Sequence, residues 1–211
     1  MAPKNDYYRI NARKILAAFE KRSIEGYYCE TKEEAVKKAL ELMEKGSTVS
    51  WGGSMTLEEI GLLDVLRKEN YSLLDRSTAK NNEELTEIFH KAFSADYYLM
   101  SSNAITMDGE LINIDGTGNR AAALIYGPKN VIIIAGMNKV TPDEESAILR
   151  ARNVAAPINA LRLSKKTSCT SVGSCKDCLT PDCICCNIVV TRMSKVPNRI
   201  KVILVGEDLG Y

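Results

Sequence analysis

The sequence has little that would favour a nucleic-acid-binding, membrane or histidine-based protein. One histidine in 211 residues excludes His-rich metal sites and any mechanism that needs two histidines. The 28 basic and 27 acidic residues leave a net charge of +1, so no basic surface for nucleic acid is expected. The longest strongly apolar run, residues 131–137, is far shorter than the ~18–20 residues of a membrane span. The opening MAPKNDYYRI lacks the apolar core of a signal peptide, so we expect a cytoplasmic protein.

The sequence does contain helical and strand patterns that alternate over most of its length, which is typical of layered α/β folds. Apolar residues make up 45% and charged residues 26%, as in globular domains. We predict a single domain over residues 1–211. Within it we expect an N-terminal helix inside residues 1–23 and a cysteine-rich insertion over residues 164–187.

Apolar periodicity and turn signals predict the individual elements. Helices are expected over 8–19, 31–43, 55–67, 81–93, 121–125 and from 141, and strands over 26–29, 48–51, 71–74, 97–100, 130–135, 188–191 and 200–205. The strand at 130–135 is the most apolar and is expected at the centre of the sheet. Asp108-Gly109 predicts a β-hairpin within 104–114, because this dipeptide supplies the positive φ angles of a tight turn. Thr141 is expected to cap a helix whose first residue is Pro142.

A first candidate site follows the strand at 48–51, where Gly52, Gly53, Ser54 and Thr56 precede a helix. Two glycines let the backbone approach a ligand, and the amides at a helix start attract an anion such as phosphate or carboxylate. The alternative is a tight strand-to-helix turn in which Ser54 or Thr56 is only a cap.

Glu59 stands three residues after Thr56, at capping-box spacing. A carboxylate one turn from an anion site could act as a base or a nucleophile. It could equally reach back to a backbone amide, and the local spacing favours that structural role.

A second candidate site is the segment 113–120, between a strand and a helix. It holds Asp115, which could bind a cation or a ligand hydroxyl or could cap the helix. It also holds Arg120, whose planar fork suits a carboxylate or a phosphate. The density of polar groups between apolar segments favours a ligand site over a surface loop.

Six of the seven cysteines fall within residues 169–186. Such a cluster in a reducing compartment more often binds metal or carries out redox chemistry than forms disulfides. The pair Cys175 and Cys178 has the Cys-x2-Cys spacing that brings two thiolates to one zinc ion or iron–sulfur cluster. Free thiols, or a disulfide formed on oxidation, remain the alternatives.

Several sequence blocks, taken in order, resemble the lactate-utilisation (LUD) domain family. They are WGGSMTLEEIG at 51–61, SSNA at 101–104, NIDGTGNR at 113–120, YGPK at 126–129, IAGMNK at 134–139 and APIN at 156–159. The resemblance extends over nearly the whole chain. It implies a Rossmann-like α/β/α sandwich akin to the glucosamine-6-phosphate deaminase, ribose-5-phosphate isomerase and CoA-transferase superfamily, in which loops after strands bind anionic small molecules.

The resemblance also implies site residues. The two glycine-rich loops would face each other and bind a small anionic ligand through Gly52, Gly53, Ser54, Thr56, Asn103, Asp115, Gly116, Thr117, Gly118, Asn119 and Arg120. Glu59 is a candidate catalytic carboxylate on analogy with the superfamily, and Asp115, in the second loop, is the other candidate. The family's C-terminal cysteine motif matches Cys169, Cys175, Cys178 and Cys185, as ligands of zinc or an iron–sulfur cluster, whereas Cys183 and Cys186 depart from it.

Three functions follow from these expectations. The first is a part in oxidising L-lactate to pyruvate together with iron–sulfur partner subunits. The second is a non-catalytic assembly or electron-relay subunit that carries a cysteine-bound metal or cluster. The third is an independent enzyme resembling a CoA-transferase or a sugar-phosphate isomerase. The sequence leaves open whether the chain forms a homo-oligomer.

Overall fold

A computed structural model describes residues 3–211. Its α-helices are Pro3–Lys21 (α1), Lys32–Glu41 (α2), Met55–Glu59 (α3), Leu62–Leu66 (α4), Asn82–Ala92 (α5), Asn119–Ile125 (α6), Glu144–Arg150 (α7), Ala156–Arg162 (α8) and Ser168–Val172 (α9). None of the helices in this range combines the length and the apolar character needed to cross a membrane. The helix predicted within residues 1–23 is present as α1. Residues 1 and 2 lie outside the described range.

The strands form two sheets. They are Glu25–Cys29 (β1), Thr48–Trp51 (β2), Ser72–Leu74 (β3), Tyr97–Met100 (β4), Ala104–Thr106 (β5), Leu111–Asp115 (β6), Asn130–Gly136 (β7), Val140–Thr141 (β8), Asn187–Thr191 (β9) and Ile200–Val205 (β10). The main sheet has the order β1-β10-β7-β4-β2-β3 and is parallel throughout. The smaller sheet has the order β8-β5-β6-β9.

The strand predicted to be central, β7, lies inside the main sheet and is buried on both faces. Val131 and Ile133 join the core beneath α1 and α6, whereas Ile132 and Ile134 join the core beneath α2, α3 and α4. Successive side chains of a strand point to opposite faces, so an apolar run of this kind requires a cover on each side. The protein is therefore a Rossmann-like α/β/α sandwich, as predicted.

The predicted β-hairpin is formed by β5 and β6, which pair antiparallel in the smaller sheet. Its turn differs from the expected geometry, because only Gly109 adopts a positive φ, at +85°. The Gly109 amide donates to the Thr106 carbonyl at 2.9 Å, and the Thr106 amide donates to the Glu110 carbonyl at 3.0 Å. A longer loop with a single left-handed glycine therefore replaces the two-residue turn.

Two helix boundaries differ from the sequence-based expectation. The helix expected over 55–67 is divided into α3 and α4, because Gly61 takes a left-handed φ of +72°. The helix expected to start at Pro142 begins instead at Glu144, and Asp143 caps it by accepting from the Ser146 amide at 2.8 Å.

Helices α7 and α8 are joined by a π-helical turn over Ala151–Ala155. Pro157 lies in the first turn of α8 and has no N–H to donate. A wider turn next to such a residue adjusts the backbone without ending the helix. The continuous α7–α8 segment carries Arg150 and Arg162 toward the residues that follow the main sheet's strands.

Candidate functional site

A cleft of about 290 Å³ opens where the strands of the main sheet end. Strands β2, β4 and β7 end at Trp51, Met100 and Gly136, and residues soon after each of these ends line the cleft. The carboxyl ends of parallel strands meet at one edge of a sheet, which is where open α/β folds bind ligands. The volume is at the lower limit of ligand pockets and suits a small molecule.

Both glycine-rich loops reach this cleft. The predicted ligand-binding residues among its walls are Gly53, Ser54, Thr56, Asn103, Asp115, Gly116, Thr117, Asn119 and Arg120. Gly52 and Gly118 lie outside the walls, as does Glu59. The turns near residues 52 and 116, which are distant in sequence, therefore lie on one cavity.

The first loop is shaped by its small residues. Ser54 caps α3 by accepting from the Leu57 amide at 3.4 Å. A Cβ at Gly52 would lie 3.0 Å from Cδ of Arg120, and a Cβ at Gly53 would lie 2.5 Å from Nη2 of Arg76. The two glycines thus allow two arginine side chains to pack against the loop.

Asp115 shapes the second loop. Its carboxylate accepts from the Gly118 amide and from the Ala121 amide, each at 2.9 Å. Gly118 itself adopts a left-handed φ of +91° immediately before α6. Both carboxylate oxygens therefore hold the start of α6, which is the capping role that the sequence left open for Asp115.

The Arg120 guanidinium is buried and is used by the protein itself. Its N–H groups donate to the carbonyl of Ser101 at 3.3 Å, the carbonyl of Ile114 at 2.6 Å, Oδ1 of Asn103 at 3.2 Å and Oδ1 of Asn113. Burial lowers the pKa of Arg120 from its usual value, and the Asp115 carboxylate opposes that shift. Arg120 lines the cleft while its hydrogen bonds hold the segment 101–103 to the second loop, and its side chain packs against Gly52 of the first loop.

Lys139 is a cleft residue that the sequence-based list missed. It follows β7, and its side chain is buried, with the residue 3% exposed. Its Nζ donates to Oγ1 of Thr56 at 2.9 Å and to Oγ of Ser101 at 3.0 Å. Lys139 therefore connects the residues that follow three neighbouring parallel strands, β2, β4 and β7.

The environment of Lys139 strongly disfavours its charged form. Burial is the main cause that lowers its pKa to about 7, and the positive charge of Arg150 adds to it. Glu59 opposes the shift and Arg120 reinforces it. A large fraction of a lysine with this pKa carries a free lone pair at neutral pH.

Arg76 is the second residue that the sequence-based list missed. It lies in a short 3₁₀ turn after β3 and lines the cleft beside Gly53. Within residues 3–211 its guanidinium has no hydrogen bond or ion pair with another side chain or with the backbone. Its planar fork is thus available to a bound carboxylate.

Cationic side chains dominate the ionisable groups of the cleft. They are Arg76, Arg120, Lys139, Arg162 and Lys165. Asp115 is the acidic residue among the lining side chains in the described range. The cavity therefore has an excess of basic over acidic side chains, although the chain as a whole is nearly neutral.

The segment 209–211 covers the end of the cleft near Lys139. Gly210 has a left-handed φ of +55°, and a Cβ there would lie 2.6 Å from Oγ1 of Thr56. Oε2 of Glu59 accepts from the Gly210 amide at 2.6 Å, and Oδ1 of Asn138 accepts from the Leu209 amide at 3.1 Å. Glu59 is exposed, and its observed contact holds this covering segment.

The cysteine segment consists of α9 and an irregular stretch that ends at β9. Burial raises the pKa of the Cys185 thiol to about 12, with further contributions from the charges of Cys183, Cys175, Cys169 and Cys178. The sulfurs thus share one region, and all of the cysteines are free thiols. Thiolates suit zinc or an iron–sulfur cluster, yet within residues 3–211 no three Cys, His, Asp or Glu side chains are arranged to hold a metal ion. We therefore derive no chemistry through a metal, and the four-cysteine site stays a prediction.

Comparison with known proteins identifies the family. The chain is similar in structure to a DUF162 family protein from Deinococcus radiodurans, with 11% identity, a TM-score of 0.53, and coverage of 95% of this chain and 98% of that one. The eIF2B beta subunit from Chaetomium thermophilum is 16% identical over 55% of this chain and 44% of its own, with a TM-score of 0.37. No curated protein matches the sequence. The LUD domain model matches residues 12–205, so this protein belongs to the LUD domain family, which is associated with lactate utilisation.

Proposed function

We propose that the cleft binds a small carboxylate, L-lactate or pyruvate, and that the protein takes part in the oxidation of lactate to pyruvate alongside iron–sulfur partner subunits. The observation that carries this proposal is the charge of the cavity. Arg76, Arg120 and Arg162 line it together with a partly protonated Lys139 and with Lys165, which is paired with Asp182 at 3.7 Å. Both carboxylate oxygens of Asp115, the acidic residue among the described lining side chains, are already bound to backbone amides.

A carboxylate ligand would supply the negative charge that the cavity lacks. At about 4 Å a pair of opposite charges near a protein surface interacts by roughly 4 kcal/mol. Arg76 provides a fork without a protein partner in the described range, whereas the Arg120 fork is occupied. We therefore assign the main contact with the carboxylate to Arg76.

The size of the cavity and the family support a small acid. A volume of about 290 Å³ fits lactate or pyruvate more readily than a whole CoA ester. The association of the LUD family with lactate utilisation favours a three-carbon acid over a sugar phosphate. In this proposal the partner subunits carry the iron–sulfur clusters that accept electrons, and this chain supplies the acid-binding cleft.

Replacing Arg76 with methionine should weaken pyruvate and lactate binding about tenfold or more, because one charge-assisted fork is worth at least ~1.4 kcal/mol. The measurement is calorimetric titration, supported by a melting temperature that rises with ligand concentration in the wild-type protein. Arg13→Met is the matched control, since Arg13 is exposed on α1 and its loss changes the net charge equally.

Two results would contradict the proposal. One is the absence of binding by either acid while acetyl-CoA or ribose 5-phosphate does bind. The other is an equal affinity of the Arg76→Met and Arg13→Met proteins for pyruvate.

A further inference from the structure

Lys139 is placed as a reactive amine rather than as a member of an ion pair. Its Nζ contacts two hydroxyl oxygens, of Thr56 and Ser101, and no carboxylate in residues 3–211 forms an ion pair with it. Buried lysines normally gain a carboxylate partner, because an isolated ammonium is costly to bury. The absence of such a partner in the described range makes loss of the ammonium proton easier than in an ordinary lysine.

The hydroxyl partners suit both protonation states of the amine. An ammonium donates to the oxygens of Thr56 and Ser101, while a neutral amine can accept from one of these hydroxyls and donate to the other. Loss of the proton therefore leaves no buried group without a partner. The same hydroxyl oxygens lie 2.9 and 3.0 Å from Nζ, directly beside the atom at which a bond would form.

The position of Lys139 also shields one side of its amine from water. Its side chain reaches the cleft from the end of β7, beneath the covering segment 209–211. A Cβ on Gly210 would lie 3.2 Å from Nζ, so the backbone of this segment closes one side of the amine. The open side faces the cavity that Arg76 also lines.

We propose that Lys139 forms a reversible imine with a 2-oxo acid bound in the cleft, and this inference rests on the proposed function. The Nζ lone pair attacks the carbonyl carbon, and the proton that leaves nitrogen is taken up by the carbonyl oxygen to give a carbinolamine. The second proton of nitrogen then passes to that hydroxyl, which leaves as water, and a C=N bond replaces the C=O bond. Nothing is oxidised or reduced, and one water molecule is released.

The chemistry of each neighbour fits this step. Ser101 and Thr56 hydroxyls can relay the proton between nitrogen and oxygen. Arg76 would hold the carboxylate next to the carbonyl, so that the reacting carbon is oriented. The lowered pKa of Lys139, about 7, leaves roughly half of the amine nucleophilic at neutral pH, against well under ~1% for an ordinary lysine. L-Lactate has no carbonyl and would bind without reacting.

The test is reductive trapping of the full chain with pyruvate and sodium borohydride at pH 7, followed by intact-mass measurement and peptide mapping. We expect one reduced pyruvyl adduct located on Lys139, formed more than about tenfold faster than on any other lysine. Excess L-lactate should slow the labelling by competition. Lys166→Met, which removes an exposed lysine, should keep the label, and Lys139→Met should lose it.

The possible results separate this inference from the proposed function. Calorimetric binding of pyruvate without an adduct on Lys139 would overturn the imine and leave the carboxylate site standing. Failure of pyruvate both to bind and to label would overturn both. Labelling spread evenly over surface lysines would also refute a special reactivity of Lys139. Because peptide mapping is done on the wild-type chain, the result does not depend on the folding of a variant.

Discussion

Replacing Arg120 with methionine is expected to lower the free energy of unfolding by about 3–5 kcal/mol, because it removes the shared donor of several buried acceptors. The carbonyl of Ser101, the carbonyl of Ile114 and the side-chain oxygen of Asn113 would each lose a charged partner. A buried acceptor without a donor costs about 1–3 kcal/mol. Urea unfolding at neutral pH measures the loss.

Arg76→Met is the matched control for this experiment. Both variants remove one arginine from the cleft wall, but in the described range Arg76 makes no hydrogen bond or ion pair with the protein. Its loss should change the unfolding free energy by less than about 1 kcal/mol. If the Arg120 variant were as stable as the Arg76 variant, the structural role of the Arg120 guanidinium would be wrong.

Replacing Lys139 with methionine is expected to change how stability depends on pH. The pKa of Lys139 is about 7 in the folded protein and near 10.5 in the unfolded chain. Between these values the unfolded chain binds more protons, so the wild-type protein gains stability as the pH rises, by up to about 1.4 kcal/mol per pH unit. Below pH 7 Lys139 is protonated in both the folded and the unfolded state. The folded protein then bears the whole free-energy cost of burying the ammonium.

The Lys139→Met protein should therefore be more stable than the wild type at pH 6–7, and this advantage should shrink by pH 10. Comparing the two proteins cancels the titration of the other groups, and denaturant unfolding at several pH values gives the difference. Lys166→Met, at an exposed position, should show the pH dependence of the wild type. Parallel curves for the wild type and Lys139→Met would mean that the pKa of Lys139 is ordinary.

Much of the fold could be predicted because its signals are local. The apolar run of β7 requires cover on both faces, and the sheet provides it. Breaks in helices were less visible. Glycine occurs inside many helices, so Gly61 alone does not predict a break. In the structure its left-handed backbone separates α3 from α4. Both Thr141 and Asp143 are good caps, and the pairing of Thr141 in β8 left the role to Asp143.

The candidate site was predictable in its loops but not in its charged side chains. Glycine-rich turns after strands are visible in the sequence, and those near residues 52 and 116 do line one cleft. Arg76 is one of 28 basic residues and lies in none of the blocks that resemble the LUD family, whereas Lys139 ends the block at 134–139 without any local sign of its role in the cleft. The order of the strands could have indicated Lys139. Ser101 and Lys139 come soon after parallel strands, and the carboxyl ends of such strands lie at the same edge of the sheet.

Hydrogen bonds between distant residues decide which charges are available to a ligand. Arg120 is more conspicuous in the sequence than Arg76, because it ends a polar segment rich in glycine. The structure shows that its donors are used by Ser101 and Asn103 of a separate segment and by the Ile114 carbonyl of its own segment. Long-range contacts of this kind cannot be derived from local spacing.

A pyruvate titration followed through the backbone amide resonances of the ¹⁵N-labelled protein tests most directly whether the cationic cleft is an acid-binding site. We expect saturable shifts at Gly53, Ser101 and Gly116, which line the cavity. Shifts confined to the separate surface groove beside Arg22 and Asp108, or no shifts at all, would contradict the assignment.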